Sequence, residues 1–196
     1  MTLTYKTTTV AQTFHFTSGK PLGGWALFTV DGAAGTFQIM SDWGDWHYRW
    51  NTEALEYPEL HPNFRLLPFL GAGDHDYVAR KLMPGSRQTE LDVAASCAGI
   101  HEFLVSLVVK DLPDLEAFTK EMVGGCPTAE ELVARVDELV QEDDSLDLEE
   151  IGLADIHEYL CTRPSREFLQ LRDELLPVFT AHLRQLGHNP GPGSLG

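Results

Sequence analysis

The chain has 196 residues, of which 43% are hydrophobic, and a formal net charge of −16. This composition predicts a globular protein with a sizeable core and excludes a largely disordered chain. The negative charge argues against direct nucleic-acid binding, which relies on cations that meet phosphates, and no apolar run is built to sit in lipid.

The negative charge is concentrated in the second half of the sequence. Residues 1–98 hold 7 Lys/Arg against 10 Asp/Glu, a net charge of −3, whereas residues 99–196 hold 7 against 20, a net charge of −13. Such a charge suits docking onto a basic surface of another protein. The alternative is that it serves solubility alone.

Residues 1–63 predict an antiparallel β-meander of about four strands. Threonines and aromatic residues, which favour a pleated surface, dominate the stretch from Leu3 to Phe16. Asp31 and Gly32 predict a turn, and a second turn is expected near Gly44. The later strands are predicted at Trp25–Val30, Thr36–Met40 and Trp46–Trp50.

Residues 64–187 predict five or six helices packed on this sheet, and residues 188–196 predict a flexible tail. The fold class is therefore α+β, with the whole chain expected to form one compact domain. Pro177 should kink or break the last helix. Five helices are predicted after Asp74, at Gln88–Lys110, from Pro113 to Gly125, from Thr128 to Glu142 and from Ser165 onward, and short helical segments are predicted at Phe64–Leu70 and Leu153–Cys161.

The segment Ser41–Trp50 holds three of the four tryptophans of the chain. Side chains in a strand alternate between its two faces, so Trp46, Tyr48 and Trp50 should share one face. These rings form either the core of the sheet or an exposed recognition face. Both interpretations hold if the three rings point inward and the candidate partner-binding residues of this segment point outward. Those residues are Trp43, His47 and Arg49.

The helix predicted from Thr128 carries the most unusual surface. Thr128 and Glu131 form a capping box, and residues 128–150 contain ten carboxylates and one arginine. Rows of carboxylates can imitate nucleic-acid phosphates in a basic groove, although a solvated helix face is the alternative. The predicted partner-binding carboxylates are Glu130, Glu131, Asp137, Glu138, Glu142, Asp143, Asp144 and Asp147.

Four side chains are candidates for a catalytic or metal-binding role. Asp42, Asp45, His47 and Asp74 are the candidates for a small metal-dependent hydrolase or nucleotide-modifying enzyme. Their alternative roles are turn formation and, for Asp74, helix capping. No common metal signature or catalytic motif is present, so we expect neither enzymatic activity nor a cofactor.

The three cysteines are widely spaced, which predicts reduced thiols in a cytosolic protein rather than a disulfide framework. Two Cys/His pairs at helical spacing leave a zinc site open as an alternative. In the other interpretation cysteine is a small buried apolar residue. The pairs are Cys97 with His101 and His157 with Cys161, and the third cysteine is Cys126.

The segment Ser41–Trp50 resembles a motif of short bacteriophage and prophage proteins. In that motif Ser-Asp-aromatic-Gly-Asn/Asp-aromatic precedes a Tyr and a Trp on the same strand. The resemblance continues through Phe69-Leu70, Asp76-Tyr77 and Lys81-Leu82, and covers roughly residues 35–83. It implies a viral accessory role in the host cytoplasm and assigns no catalytic residues.

Together, the resemblance and the acidic half predict a phage protein that inhibits a host defence complex. A CRISPR effector or a restriction enzyme, each with a basic nucleic-acid groove, is the expected partner. A structural or regulatory phage protein with one dedicated partner is the remaining alternative.

Overall fold

A computed structural model of the chain describes residues 2–7, 11–17, 24–107, 112–125, 128–141 and 156–187. The chain divides into two compact units. Unit 1 comprises Met1–Gln88 and Ser165–Gly196, and unit 2 comprises Thr89–Pro164. The division does not follow the predicted boundary at residue 63, because residues 64–88 and the last helix belong with the sheet. The predicted tail, residues 188–196, lies outside the described residues.

Unit 1 contains the predicted antiparallel sheet, in the order β1-β2-β3-β4-β5. The threonine-rich stretch supplies two strands rather than one, so this sheet has five strands among the described residues. Phe14 opposes Phe28, Phe28 opposes Ile39, and Ile39 opposes Trp46, so one row of apolar residues crosses four strands. The strands are β1 (Thr2–Thr7), β2 (Ala11–Thr17), β3 (Trp25–Asp31), β4 (Thr36–Ser41) and β5 (Gly44–Arg49).

The rest of the described chain is mainly helical, which confirms the α+β class. Two 3₁₀ turns, Thr52–Ala54 and Pro62–Phe64, precede the first helix. The α-helices are α1 (Leu66–Gly71), α2 (His75–Leu82), α3 (Gly85–Gln88), α4 (Val93–Ser106), α5 (Leu115–Gly125), α6 (Ala129–Gln141), α7 (Arg166–Gln170) and α8 (Leu176–Gln185). Two short strands, β6 (Thr89–Leu91) and β7 (Thr162–Pro164), pair with each other.

The core of unit 1 is centred on Phe179 of α8. Its ring stacks on Phe28 and Phe37 at centroid distances of 4.8 and 5.0 Å, and meets Phe14 edge-on at 5.2 Å. Each of the four rings is at most 1% exposed. Aromatic pairs in these geometries add to the stabilisation that burial provides, so α8 is firmly held against the sheet.

The last helix continues through Pro177 instead of breaking. Between α7 and α8 lies one π-helical turn, Leu171–Leu175, in which the N–H of Leu176 bonds to the carbonyl of Leu171. Pro177 stands in the first turn of α8, where a missing N–H is tolerated best. The expected distortion therefore takes the form of a widened turn.

Unit 2 has a core of its own, formed by side chains of α4, α5 and α6 together with Ile156. The predicted helix Gln88–Lys110 is too long at its start, because residues 89–91 form β6 and Asp92 caps α4 through the N–H of Ala95 at 3.1 Å. Lys110, the predicted end of that helix, lies outside the described residues. Periodicity missed β6 because its partner β7 is about seventy residues away.

Candidate functional site

The segment that carries the sequence motif folds as a tight turn between β4 and β5. The hydroxyl of Ser41 donates to the carbonyl of Gly44 at 2.9 Å and accepts from the N–H of Trp43 at 3.2 Å. The carboxylate of Asp42 accepts from the N–H of Trp25 at 3.1 Å, which ties the turn to β3. Gly44 has φ +147°, a backbone conformation that would be strained in a residue with a side chain. The first four motif residues thus have structural roles.

Trp43 at the tip of this turn is half-buried. Its ring lies directly over Gly24, where a Cβ atom would overlap the indole, and it packs against the core of unit 1. Trp43 was predicted as an outward partner-binding residue, and the structure leaves it only partly available to a partner.

The side chains of β5 alternate as predicted. Trp46 is 1% and Trp50 is 6% exposed, Tyr48 is half-buried, and His47 and Arg49 are exposed. The guanidinium Nε of Arg49 donates to a backbone carbonyl of the turn before β4 at 3.0 Å. His47 and Arg49 therefore remain on the surface, as expected of partner-binding residues.

The charge of the chain follows its division into units. Unit 2 holds 19 Asp/Glu against 4 Lys/Arg, a net charge of −15, whereas unit 1 holds 11 against 10, a net charge of −1. Nearly all of the surplus negative charge thus belongs to the 89–164 segment. This separation is sharper than the one between sequence halves.

Within unit 2, the outward face of α6 presents four of the predicted carboxylates. The opposite face is buried through Leu132, Val133, Val136 and Val140. At 100° per residue the four carboxylates fall within an arc of roughly 120°. They are Glu130, Glu131, Asp137 and Glu138, of which Asp137 is half-buried and the others are exposed.

Arg135 stands at one edge of this face and joins two carboxylates. Its guanidinium bonds to Glu121 of α5 at 2.7 Å and to Glu138 at 2.8 Å. The hydrogen bonds to Glu121 and then to Glu138 raise the pKa of Arg135 above its ordinary value. The three side chains are exposed, so this pairing contributes little to stability but partly neutralises Glu138.

Two further carboxylates of α6 have local roles. Glu131 accepts from the N–H and hydroxyl of Thr128 at 3.0 and 2.9 Å, which confirms the capping box. Asp137 accepts from the side-chain amide of Gln141 at 2.6 Å. Glu130 has no such partner among the described residues, and its carboxylate is the freest of the four.

The predicted sites fall into two groups that belong to different units. Trp43, His47 and Arg49 lie in unit 1, whereas the carboxylates of α6 lie in unit 2. The remaining four predicted carboxylates lie outside the described residues. They are Glu142, Asp143, Asp144 and Asp147.

Sequence reasoning missed a cleft in unit 1, about 560 Å³ in volume. It brings Asp45 and His47 of β5 together with Lys81 and Arg87. Asp45 and His47 belong with Asp42 and Asp74 in the hydrolase alternative, and His47 is also one of the predicted partner-binding residues. Lys81 belongs to the last turn of α2, and spacing alone did not show that this turn lies beside β5.

The residues of the hydrolase alternative do not form one ligand set. Asp42 bonds to the backbone of β3, and Asp74 caps α2 by accepting from the N–H of Tyr77 at 2.9 Å. Among the described residues, no group of three or more His, Cys, Asp or Glu side chains is arranged to hold a metal ion.

Residues of the two Cys/His pairs also make contacts other than metal coordination. Cys97 is buried in the core of unit 2, whereas Cys161 is exposed. The Nε2 atom of His101 lies 2.9 Å from the carbonyl of Pro113, and the backbone N–H of Cys161 donates to the hydroxyl of Ser96 at 2.8 Å. These contacts stabilise the helix connections of unit 2.

Comparison of the chain with family models, curated proteins and solved structures finds no match. The resemblance to phage proteins therefore stays a prediction that depends on the motif. Within the described part of the chain, no helix combines the length and the apolar character needed to cross a bilayer.

Proposed function

We propose that the protein is a phage or prophage inhibitor that binds a host defence complex in the host cytoplasm. Its acidic unit 2 occupies a basic nucleic-acid groove of a CRISPR effector or a restriction enzyme. The observation that carries this proposal is the net charge of −15 gathered in unit 2, against −1 in unit 1.

The outward face of α6 gives this charge a defined geometry. Glu130 and Glu138 are eight residues apart on the helix, which separates their backbones by roughly 12 Å along its axis. Their carboxylates can meet the same arginines and lysines that bind nucleic-acid phosphates. The partner's groove would supply the cations that unit 2 lacks, so association should be fast and strongly dependent on salt.

A competition experiment tests the mechanism. A guide-loaded CRISPR effector and a restriction enzyme are each assayed for cleavage of a labelled DNA duplex with increasing amounts of the protein. We expect inhibition of at least one of them, relieved by excess DNA and by added salt. Failure to inhibit either nuclease, or inhibition that excess DNA leaves unchanged, would contradict binding in the nucleic-acid groove.

A charge-reversal variant tests whether the outward face of α6 is the binding surface. In Glu130→Lys/Glu138→Lys, Arg135 keeps Glu121 as its partner and the capping box of Glu131 is untouched. We expect this variant to inhibit the nuclease at least about tenfold more weakly, which corresponds to 1.4 kcal/mol of binding free energy.

The matched control is Glu56→Lys/Glu59→Lys, which makes the same change of charge at two exposed positions of unit 1. We expect it to inhibit the nuclease as strongly as the unchanged protein does. Equal weakening by both variants would show that net charge alone matters, and no weakening by either would exclude α6 as the binding surface. Circular dichroism confirms that each variant is folded.

A further inference from the structure

Strand β5 lies at one edge of the sheet of unit 1, and β4 is its strand neighbour among the described residues. The N–H of Trp50 bonds to the carbonyl of Gly35 at 2.8 Å, one step beyond the end of the β4–β5 ladder. Because hydrogen-bonded and non-hydrogen-bonded pairs alternate in an antiparallel ladder, this bond fixes which residues of β5 turn their N–H and C=O groups away from β4. They are Asp45, His47 and Arg49.

The main-chain groups of these three residues have no hydrogen-bond partner among the described residues. The unpaired N–H and C=O groups of a strand edge are a template for a further strand. From Asp45 to Arg49 this edge measures roughly 13 Å at about 3.3 Å per residue, which matches an extended segment of five residues.

The cleft of about 560 Å³ runs beside this edge. Its first wall takes in four consecutive residues of β5, Asp45 to Tyr48, whose side chains alternate between the two faces of the sheet. Consecutive residues share the edge of a strand but not a face. The second wall is formed by residues between Arg80 and Gln88. The cleft therefore provides room for an added strand next to the unpaired main-chain groups of β5.

One position of an added strand would face a cation. In antiparallel pairing, the residue opposite Tyr48 has its side chain on the same face of the sheet as Tyr48. The ammonium of Lys81 lies on that ring, 5.7 Å from its centroid and 5.5 Å from that of Tyr77. Lys81 is exposed, and no described carboxylate forms an ion pair with it.

The charge of the lining favours an acidic segment. Arg80, Lys81 and Arg87 supply three cations to the second wall, although each arginine already bonds to a carboxylate of unit 1. Asp45 is the acidic residue of the lining, and its side chain points to the face opposite Tyr48. A carboxylate opposite Tyr48 would thus meet Lys81 without facing Asp45.

We propose that the edge of β5 binds an extended acidic segment of a partner protein, which pairs with it as an additional antiparallel strand. Main-chain hydrogen bonds to Asp45 and His47 supply the affinity, and a Glu or Asp opposite Tyr48 contacts Lys81. The site lies in unit 1, so this inference does not depend on the acidic unit 2 on which the proposed function rests.

Isothermal titration calorimetry with the full chain tests the proposal. The probe is the blocked peptide acetyl-Thr-Glu-Thr-Val-Thr-amide, in which the threonines would lie opposite Arg49, His47 and Asp45, the glutamate opposite Tyr48 and the valine opposite Trp46. The comparison peptides have lysine or glutamine in place of the glutamate. We expect the glutamate peptide to bind at least about tenfold more tightly than the lysine peptide, because like charges at Lys81 repel.

Two N-methylated forms of the glutamate peptide test the strand pairing itself. In this register the N–H of the central threonine bonds to the carbonyl of His47, whereas the N–H of the valine points away from β5. We expect N-methylation of the central threonine to weaken binding at least about tenfold, and N-methylation of the valine to leave it nearly unchanged. Equal weakening by both, or no weakening by either, overturns pairing with the edge.

Lys81→Met tests the contact with the carboxylate and keeps an aliphatic stem against the two tyrosines. We expect it to weaken the glutamate peptide about tenfold and to leave the glutamine peptide unaffected. Lys120→Met, at an exposed lysine of unit 2, is the matched control and should bind both peptides like the unchanged protein.

Three results overturn the proposal. The first is that the unchanged protein does not bind the glutamate peptide at millimolar concentration. The second is that the lysine peptide binds as tightly as the glutamate peptide. The third is that Lys81→Met binds the glutamate peptide as tightly as the unchanged protein does.

Discussion

The two units of this protein differ in their ratio of negative to positive side chains. Unit 1 has nearly equal numbers of cations and anions, and several of its arginines are paired, as Arg87 is with Glu167 and Arg172 with Asp173. Unit 2 has almost five carboxyl side chains for every cation. Repulsion among like charges destabilises a compact state. The difference is consistent with the proposal that unit 2 meets a cationic partner, because its charge does not help to hold its own fold together.

The positions of the tryptophans allow the unfolding of the two units to be measured separately. All four lie in unit 1, so tryptophan fluorescence reports the unfolding of that unit. Far-UV circular dichroism reports the helices of both units. A variant that affects one unit can therefore be distinguished from a variant that affects the other. The tryptophans are Trp25, Trp43, Trp46 and Trp50.

The largest effect is expected from Phe179→Ala in the core of unit 1. The substitution removes a ring that three other buried phenylalanines contact and leaves a cavity among them. We expect the free energy of unfolding detected by tryptophan fluorescence to fall by about 3–5 kcal/mol. Denaturant titration measures the change.

Phe118→Ala is the corresponding change in the core of unit 2, where Phe118 is fully buried. We expect it to lower the stability detected by circular dichroism and to leave the fluorescence-detected transition in place. If both variants shift the fluorescence transition equally, the two units unfold as one, and the comparison between them loses its thermodynamic meaning.

Local signals in the sequence predicted much of the fold. The capping box at Thr128, the cap at Asp74, the start of the last helix at Ser165 and the alternation along β5 are all confirmed. Each of these features depends on residues within a few positions of one another. Hydrogen bonding and side-chain periodicity at such short range are readable without knowledge of the rest of the chain.

The features that were missed depend on residues far apart in sequence. The β6–β7 pair joins Thr89 to Pro164, and residues 89–164 form a compact unit separate from the one that contains the sheet, α1–α3 and the last helix. The cleft likewise combines β5 with Lys81 and Arg87. Such contacts follow from the packing of whole elements, which no local pattern in one sequence specifies.

A smaller effect is expected at the helix caps, and it should again differ between the units. Ser165 is 8% exposed, accepts from the N–H of Phe168 at 3.1 Å and donates to the carbonyl of Arg87 at 2.6 Å. Ser165→Ala loses the cap and leaves that carbonyl without its donor, so we expect a loss of about 2 kcal/mol in fluorescence-detected stability.

Thr128→Ala removes an exposed cap in unit 2, and we expect a loss of about 1 kcal/mol by circular dichroism. Ser165→Thr keeps both the acceptor for the N–H of Phe168 and the donor for the carbonyl of Arg87, so its stability should stay close to that of the unchanged protein. A loss at Ser165 no larger than at Thr128 would show that the buried donor adds nothing.

The smallest effect concerns the pH dependence of unit 1. Burial, and then the charge of Arg184, lower the pKa of His75 below 6.5, although Asp74 and Asp173 act weakly in the opposite direction. Burial alone lowers the pKa of His182. The Nε2 atom of His182 is buried and has no hydrogen-bond partner among the described residues, so a proton there would add a charge that none of them accepts.

Because both pKa values are lower in the folded state, the unfolded chain binds more protons as the pH falls below 6.5, the ordinary pKa of histidine. Stability is thus fully present above that pH and is lost progressively below it, until the lower pKa of the folded state is reached. Fluorescence-detected unfolding between neutral pH and about pH 5 measures this slope. In His75→Gln/His182→Gln the slope should be reduced, whereas His15→Gln, at an exposed position of β2, should keep it. An unchanged slope in the double variant would mean that other groups of unit 1 set its response to acid.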